Sequence, residues 1–371
     1  MPFQIRNNGS AQYKAHNEWA RRPDDERFLS LDDMLSHFRK IREESKAVVV
    51  SSHKFGLAPK AISETETALE LVGGNGHAYE PTHWAFGQLA ALAGAPADYL
   101  RTLPTEMAAD CLNYGLKYTR GAEDVGLLLQ RNGKSTLRAA TGPRYGRIWN
   151  EEVLRALVHT VGDGVSGRWT IPGIFGHKLE VITKENTTLF ASDRDFFVFL
   201  ADEQNKIEIP NRRDGKSGLL SRGVYLWNSE TGAATFGVGC FLFDFACSNR
   251  IVWGMNEYKE FRLRHTVSAP DRFLEEIQPA LVSYANSSSA NVLEPIQAAQ
   301  KARIDNVPEF LATRFSRNLV KPVMAIHELE EGRPIETRWD IVTGVTAYAR
   351  SIQHQDTRVD LERQAGLVLA W

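Results

Sequence analysis

GVYLWNSETGAATFGVGCFLFDF, residues 223–245, decides the fold class. Two segments rich in β-branched and aromatic residues flank SETG, a short polar stretch of turn formers, which predicts an antiparallel hairpin. Phe241, Phe243 and Phe245 recur at period two, as expected of a stripe facing a core. Upstream of this hairpin, from Val125 onward, lie VGLLLQ, STLRAAT, KLEVITK, TTLFAS and FFVFLAD, further short strand candidates broken by Asn, Gly, Asp and Pro. The middle of the chain therefore reads as a mostly antiparallel sheet.

Helical spacing takes over on both sides. SLDDMLSHFRKIREES sets Leu31, Leu35, Phe38 and Ile41 on one face, with Ser30 placed to cap. AVVVSS is a short strand, and PTHWAFGQLAALAG and PTEMAADCLNYGLKY read as core helices. Beyond Pro270, RFLEEIQPALVSYANS, NVLEPIQAAQKARI, VPEFLATRFSRNLV and WDIVTGVTAYARSI are again helical. The expected architecture is α+β, a central mostly antiparallel sheet between N-terminal and C-terminal helices. We divide it into a loosely held arm at 1–30, an α+β core at 31–268 and a helical part at 269–371 packed on that core.

The 371 residues are 43% hydrophobic with a formal net charge of −2, so total charge announces no polyanionic partner. No apolar run nears the roughly 20 residues that span a bilayer, and the N-terminus lacks a signal-peptide core, so a cytoplasmic location without membrane association is expected. Cys111, Cys240 and Cys247 stand in apolar or aromatic contexts and read as reduced and packed. Cys240 and Cys247, seven apart in one strand, face opposite sides. Histidines lack metal-ligand spacing, His77 and His83 being the nearest pair of note, and neither a metal nor a cofactor is expected.

NGKSTLRAATGPRYGRIW, residues 132–149, begins like the end of a phosphate-binding loop. The loop needs glycine five residues before Gly133, and Leu128 stands there; the second GKS, Gly215–Ser217, has Pro210 at that place. STLRAAT also reads as strand where a helix is required. What remains is charge. Val125 to Asn150 holds no acid but carries Arg131, Lys134, Arg138, Arg144 and Arg147, with Tyr145 and Trp149 among them. As a hairpin this segment would line a basic groove, its rings offering faces to unpaired bases. The alternative is a set of solvated arginines with Tyr145 and Trp149 packed inward. PNRRDGKSGLLSRG adds Arg212, Arg213, Lys216 and Arg222 as a second wall, and FRLRHT sets Arg262 and Arg264 on one strand face with His265 opposite.

QLAALAGAPADYLRTLP, ATGPRYGRIWNEEVL, LWNSETGAATFGVGCFLFDFACSNRI, FRLRHT and TRWDIVTGVTAYAR occur in that order over about residues 80–350. Together they resemble recurrent blocks of a phage and plasmid family, the domain of unknown function nine-three-two. Arg250 departs from the small residue usual after Cys-x-Asn, and extra residues fall around Asn205 to Arg222. The chain is most similar to the branch found in N-four-like podoviruses, whose member is a single-stranded-DNA-binding cofactor of the phage RNA polymerase. The resemblance implies a mobile-element protein that handles DNA.

The resulting expectation is a non-enzymatic, sequence-tolerant single-stranded DNA-binding protein that self-associates and supports transcription or replication, with an RNA polymerase as a candidate partner. Two rival classes stand beside it. One is a metal-dependent nucleic-acid enzyme or annealing recombinase, for which Asp193, Asp195 and Asp244 are the scattered carboxylates on offer. The other is a protein that binds a host factor through its helical ends.

Overall fold

Arg27 and Phe28 form a two-residue strand, β1, so the chain enters the fold within the segment read as an arm. The computed structural model describes residues 23–64, 66–73, 76–118, 123–171, 181–185, 187–202, 204–209, 218–244, 250–251, 261–286, 290–349, 351–352 and 355–369. The Ser30 hydroxyl accepts from the Asp33 N–H and starts α1 (Leu31–Glu44), whose Leu31, Met34, Leu35 and Phe38 are buried.

Two sheets follow. β2 (Ser45–Ser51), β3 (Phe55–Ala61), β4 (Thr67–Gly73), β5 (Ala78–Pro81), β6 (Asp124–Arg131) and β7 (Ser135–Thr141) form a six-stranded sheet in the order β2-β6-β7-β5-β4-β3. Its β5–β7 pair is parallel and the others antiparallel. One face is covered by α2 (His83–Leu92), α3 (Ala97–Leu100) and α4 (Thr105–Tyr118), around Leu89, Leu112, Leu127 and Leu137. Three of the sheet's strands, β3, β4 and β5, lie in the N-terminal part read as helical, so that region is mixed in texture.

The central sheet is larger. α5 (Asn150–Val161) leads to β8 (Trp169–Thr170), β9 (Leu189–Ala191), β10 (Phe196–Asp202), β11 (Ile207–Ile209), β12 (Gly218–Asn228), β13 (Phe236–Asp244), β14 (Arg250–Ile251) and β15 (Phe261–Leu263). These join β1 in a nine-stranded sheet, every pair antiparallel, with the path β1-β9-β10-β12-β13-β14. The hairpin read from GVYLWNSETG is β12–β13, in register from Leu220 opposite Asp244 to Trp227 opposite Gly237.

α6 (Ala269–Arg272) passes through a π-helical turn at Phe273–Ile277 into α7 (Gln278–Asn286). These elements join α1 and α5 on the inner face of the central sheet, where Phe38, Leu154, Phe196, Leu226, Phe273 and Tyr284 share one core. α8 (Ala290–Lys301), α9 (Val307–Arg314), α10 (Val320–Glu331), α11 (Arg338–Ala349) and α12 (Gln355–Val368) build another core with Leu220 and Leu242 at the sheet's end. The molecule is α+β, with helices at both ends of a large mostly antiparallel sheet. Among the described residues no helix is long and apolar enough to cross a membrane.

Candidate nucleic-acid interface

The turn of the β12–β13 hairpin is buried, although four successive polar residues occupy it. Asn228, Ser229, Glu230 and Thr231 have no solvent exposure. A buried polar loop is stable only when its groups are bonded, and here bonds are made throughout, with Asn228 Oδ1 the exception. The Thr231 carbonyl accepts from Gln88 Nε2 at 2.7 Å and Trp84 Nε1 at 3.2 Å, both on α2. Ser229 Oγ donates to the Arg194 carbonyl and accepts from the Ala233 N–H, while the Ser229 carbonyl accepts from the Tyr145 hydroxyl at 2.8 Å. Asn228 Nδ2 donates to the Ile148 carbonyl and to Asn150 Oδ1. Glu230 divides its carboxylate between Arg138 Nη1 at 2.9 Å and the Asn150 N–H at 2.8 Å, so it neutralises β7 and caps α5 together.

Beside this loop, the connector from β7 to α5 lies against the segment leaving β15. Gly146 N donates to the His265 carbonyl at 3.1 Å, and the Gly146 carbonyl accepts from His265 Nδ1 at 3.0 Å. The two strands of chain approach so closely that a Cβ on Gly146 would lie 1.7 Å from the Thr266 carbonyl oxygen. Tyr145 stacks on His265 with ring centroids 4.8 Å apart. Burial lowers the His265 pKa to about 4, and the same cause raises that of the Tyr145 hydroxyl. Both stay neutral near pH 7.

Arg147 sits between rings, its guanidinium 5.2 Å from the Tyr145 centroid and 5.8 Å from that of Trp149. Its Nε and Nη1 are buried without hydrogen-bond partners, and burial depresses its pKa. Arg144 and Arg264 are exposed on either side of the Gly146–His265 contact. Among the described residues, no carboxylate lies within ion-pairing distance of Arg144, Arg147 or Arg264. Arg262, half-buried, lies over the Trp227 ring at 5.7 Å. Two arginine-bearing segments are thus fastened side by side.

The basic groove expected across residues 131–147 does not form. Arg138 is 3% exposed and committed to Glu230 and Ser45, so it is a structural cation. Its neighbours Leu137, Ala139 and Ala140 are all buried, which shows that β7 is covered on both faces. Arg131 is exposed but donates to the Tyr79 hydroxyl at 2.5 Å. Lys134 is exposed in the β6–β7 turn, where Gly133 has φ +89°. The seven residues of β7 separate that turn from Arg144 by about 23 Å at the usual strand rise of about 3.3 Å.

Arg222 forms no part of a second basic wall. It is 1% exposed, pairs with Asp202 at 2.9 Å and lies near the Trp169 and Tyr284 rings. Asp202 also accepts from Arg168 and Asn205, which together with Arg222 hold its pKa below the usual carboxylate range against the opposing effect of burial. Tyr145 and Trp149 are engaged by protein groups; Arg42 covers Trp149 at 3.8 Å. They pack the fold and are not open platforms for bases, as the inward alternative had it. In FRLRHT the strand ends at Leu263, so Arg264 leaves the sheet and His265 turns inward. Arg212, Arg213 and Lys216 lie outside the described residues, as do the side chains of Phe241, Phe243, Phe245, Cys240, Cys247 and Asp244.

Asp193 is half-exposed beside Arg194, and Asp195 accepts from the Ser192 hydroxyl in a tight turn. Among the described residues no group of three or more His, Cys, Asp or Glu side chains is placed to hold a metal. Sequence reading missed Glu230, Gln88, Trp84 and Arg42. The available signal was the lone acid of SETG set against an acid-free run with five cations.

Gln88, Tyr145, Asn150, Ser229, Glu230 and His265 belong to four of the five blocks that carried the family resemblance, and these four meet at this place. The fifth block lies in α11, within the C-terminal core. Compared with models of known protein families, with curated proteins and with solved structures, the chain matches none.

Proposed function

We propose that this protein binds single-stranded DNA through its phosphates, without strong sequence preference and without chemical turnover, at the surface formed by Arg144, Arg147, Arg262 and Arg264. The observation that carries the reading is the reciprocal Gly146–His265 hydrogen bonding, which holds two arginine-bearing segments together beyond reach of any described carboxylate around Arg144, Arg147 and Arg264. Arginines held in this way, in a chain of net charge −2, form a local anion site in a protein that otherwise repels polyanions weakly. With Tyr145 and Trp149 packed inward, selectivity for unpaired strands falls to the exposed guanidinium planes of Arg144 and Arg264, which stack on open bases but not on paired ones. The family resemblance points to the same partner. In that reading the bound strand is one opened for transcription or replication, and an RNA polymerase is the candidate recipient.

Fluorescence anisotropy of a labelled oligonucleotide tests this, run with single-stranded DNA, duplex and RNA across a salt series, with and without magnesium. Three to four phosphate contacts give a log–log salt slope of about −2 to −3 on a single strand. Arg144→Ala with Arg264→Ala should weaken binding by about ten-fold and flatten the slope by about 1.4. Binding that is indifferent to this pair, tighter on duplex, or absent at low salt would remove the proposal. Products appearing with magnesium would replace it by the enzyme reading.

A further inference from the structure

α4 buries small residues with two leucines and turns other large apolar residues outward. Ala108, Ala109 and Gly115 are buried together with Leu112 and Leu116. A Cβ at Gly115 would lie 2.2 Å from the Ala93 carbonyl oxygen, so the end of α2 rests directly on the α4 backbone. On the other side Met107, Tyr114 and Tyr118 are 53%, 67% and 62% exposed, and Cys111, expected from its sequence context to be packed, is exposed as well. Positions 107, 111, 114 and 118 follow steps of four, three and four, which draws one continuous stripe along the helix. The Tyr114 and Tyr118 rings already contact each other at 4.9 Å between centroids.

The charges beside this stripe are ordered. Glu106, Asp110 and Lys117 are exposed, and at about 100° per residue all three fall on the same flank of the helix. The acids occupy its N-terminal half and the lysine its C-terminal end. We propose that two copies of this chain associate by packing α4 against α4, antiparallel about a twofold axis.

In that arrangement identical flanks face each other end to end, so Glu106 and Asp110 of each copy meet Lys117 of the other. Met107 then lies across from Tyr118, and Cys111 across from Tyr114. A parallel pair would set the charged flanks on opposite sides, where they could not meet. A nucleic acid fits this face poorly, because two carboxylates outnumber one lysine there and the C-terminal end of a helix repels phosphate. The three large side chains expose on the order of 400 Å² between them, about half of the roughly 800 Å² that each partner contributes to a standard interface.

Sedimentation equilibrium of the full chain without nucleic acid tests the proposal. A dimer is expected below about 100 µM, a concentration at which only weaker contacts stay dissociated. Lys117→Glu should raise its dissociation constant by about ten-fold or more, because attraction becomes repulsion at both ends. Combining Glu106→Lys, Asp110→Lys and Lys117→Glu inverts the pattern and should restore the wild-type constant. Tyr114→Ser should give monomer with an unchanged melting curve, since the side chain is exposed. A wild-type monomer at 100 µM, a dimer indifferent to Lys117→Glu and Tyr114→Ser, or a charge-inverted variant that stays dissociated would each overturn the proposal. Neither Arg144 nor Arg264 is touched, so its failure would leave the DNA reading standing.

Discussion

Replacing Glu230 by Gln keeps the shape of the side chain and removes its charge, which isolates what that charge does. The carboxylate is wholly buried, its partner Arg138 is 3% exposed, and each oxygen is used, one by the guanidinium and one by the Asn150 N–H that opens α5. An amide has one oxygen for these two donors, so one of them meets an NH₂ group. Arg138 meanwhile keeps its charge in the interior without a counterion. Leaving one member of a buried pair unmatched costs about 3–5 kcal/mol, and loss of the anion at the helix start adds up to about 1 kcal/mol. We expect destabilisation of about 4 kcal/mol. If the whole chain melts as one unit, its unfolding entropy is near 0.8 kcal/mol/K, and the midpoint falls by about 5 °C. Urea titration followed by tryptophan fluorescence measures the change directly. Because both groups are shielded from solvent, the loss should be nearly the same at low and high ionic strength. Arg138→Met with Glu230→Gln should be less damaging than the two single costs added together. A Glu230→Gln protein within 1 kcal/mol of wild type, or a loss that vanishes in salt, would refute the assignment of this pair as the tie between the sheets.

The other predictions concern the same neighbourhood. Gly146→Ala forces a methyl group against the Thr266 carbonyl, and we expect a stability loss of about 1–3 kcal/mol with weaker DNA binding, read by urea titration and anisotropy. His265, neutral in the fold down to about pH 4, takes up a proton near pH 6.5 when unfolded. Its lowered folded pKa therefore makes stability fall as pH drops from 6.5 towards 4, by about 3 kcal/mol across the window. His265→Asn should flatten that limb of the curve, and an unchanged limb would show that the histidine does not cause it. Arg222→Met should lower the urea midpoint, since Asp202 loses a buried partner, while the folded variant binds DNA as wild type does. Weakened binding by that variant would return Arg222 to the interface.

The α+β class was legible because the strongest sequence signals coincide with strongly buried elements. Leu31, Leu35 and Phe38 recur at helical spacing behind a Ser30 cap, and β10, β12 and β13 are dense in aromatic and β-branched residues. β3, β4 and β5 escaped notice for a physical reason. They lie in a sheet that has one lightly covered end, so burial along them is mostly intermediate and period-two alternation is faint. FGLAPKA carries Pro59 and Lys60, both poor strand formers, yet β3 is the edge of its sheet, where a missing N–H costs little. The parallel β5–β7 pairing depends on a crossover through elements distant in sequence, which no local pattern records.

The division of the arginines follows from how each stretch of backbone is covered. Arg138 and Arg222 lie inside strands whose neighbours are buried on both faces, so each had to find a carboxylate, and Glu230 and Asp202 are those carboxylates. The Glu230 partner stands 92 residues away in a turn whose composition reads as solvated. Its seat is created only when α2, β7 and the Tyr145 segment come together. Arg144 and Arg264 are different. Each precedes a ring that packs, Tyr145 or His265, in a turn just beyond a strand, where the Tyr145 N–H bonds the Gly142 carbonyl and the Thr266 N–H the Arg264 carbonyl, and the arginine is left exposed. The stacking of those two rings holds the two segments side by side, with Arg144 and Arg264 both exposed. Charge counted along the chain gives the supply of cations, whereas the burial of the backbone that carries each one decides whether it is drawn into the core or left at the surface.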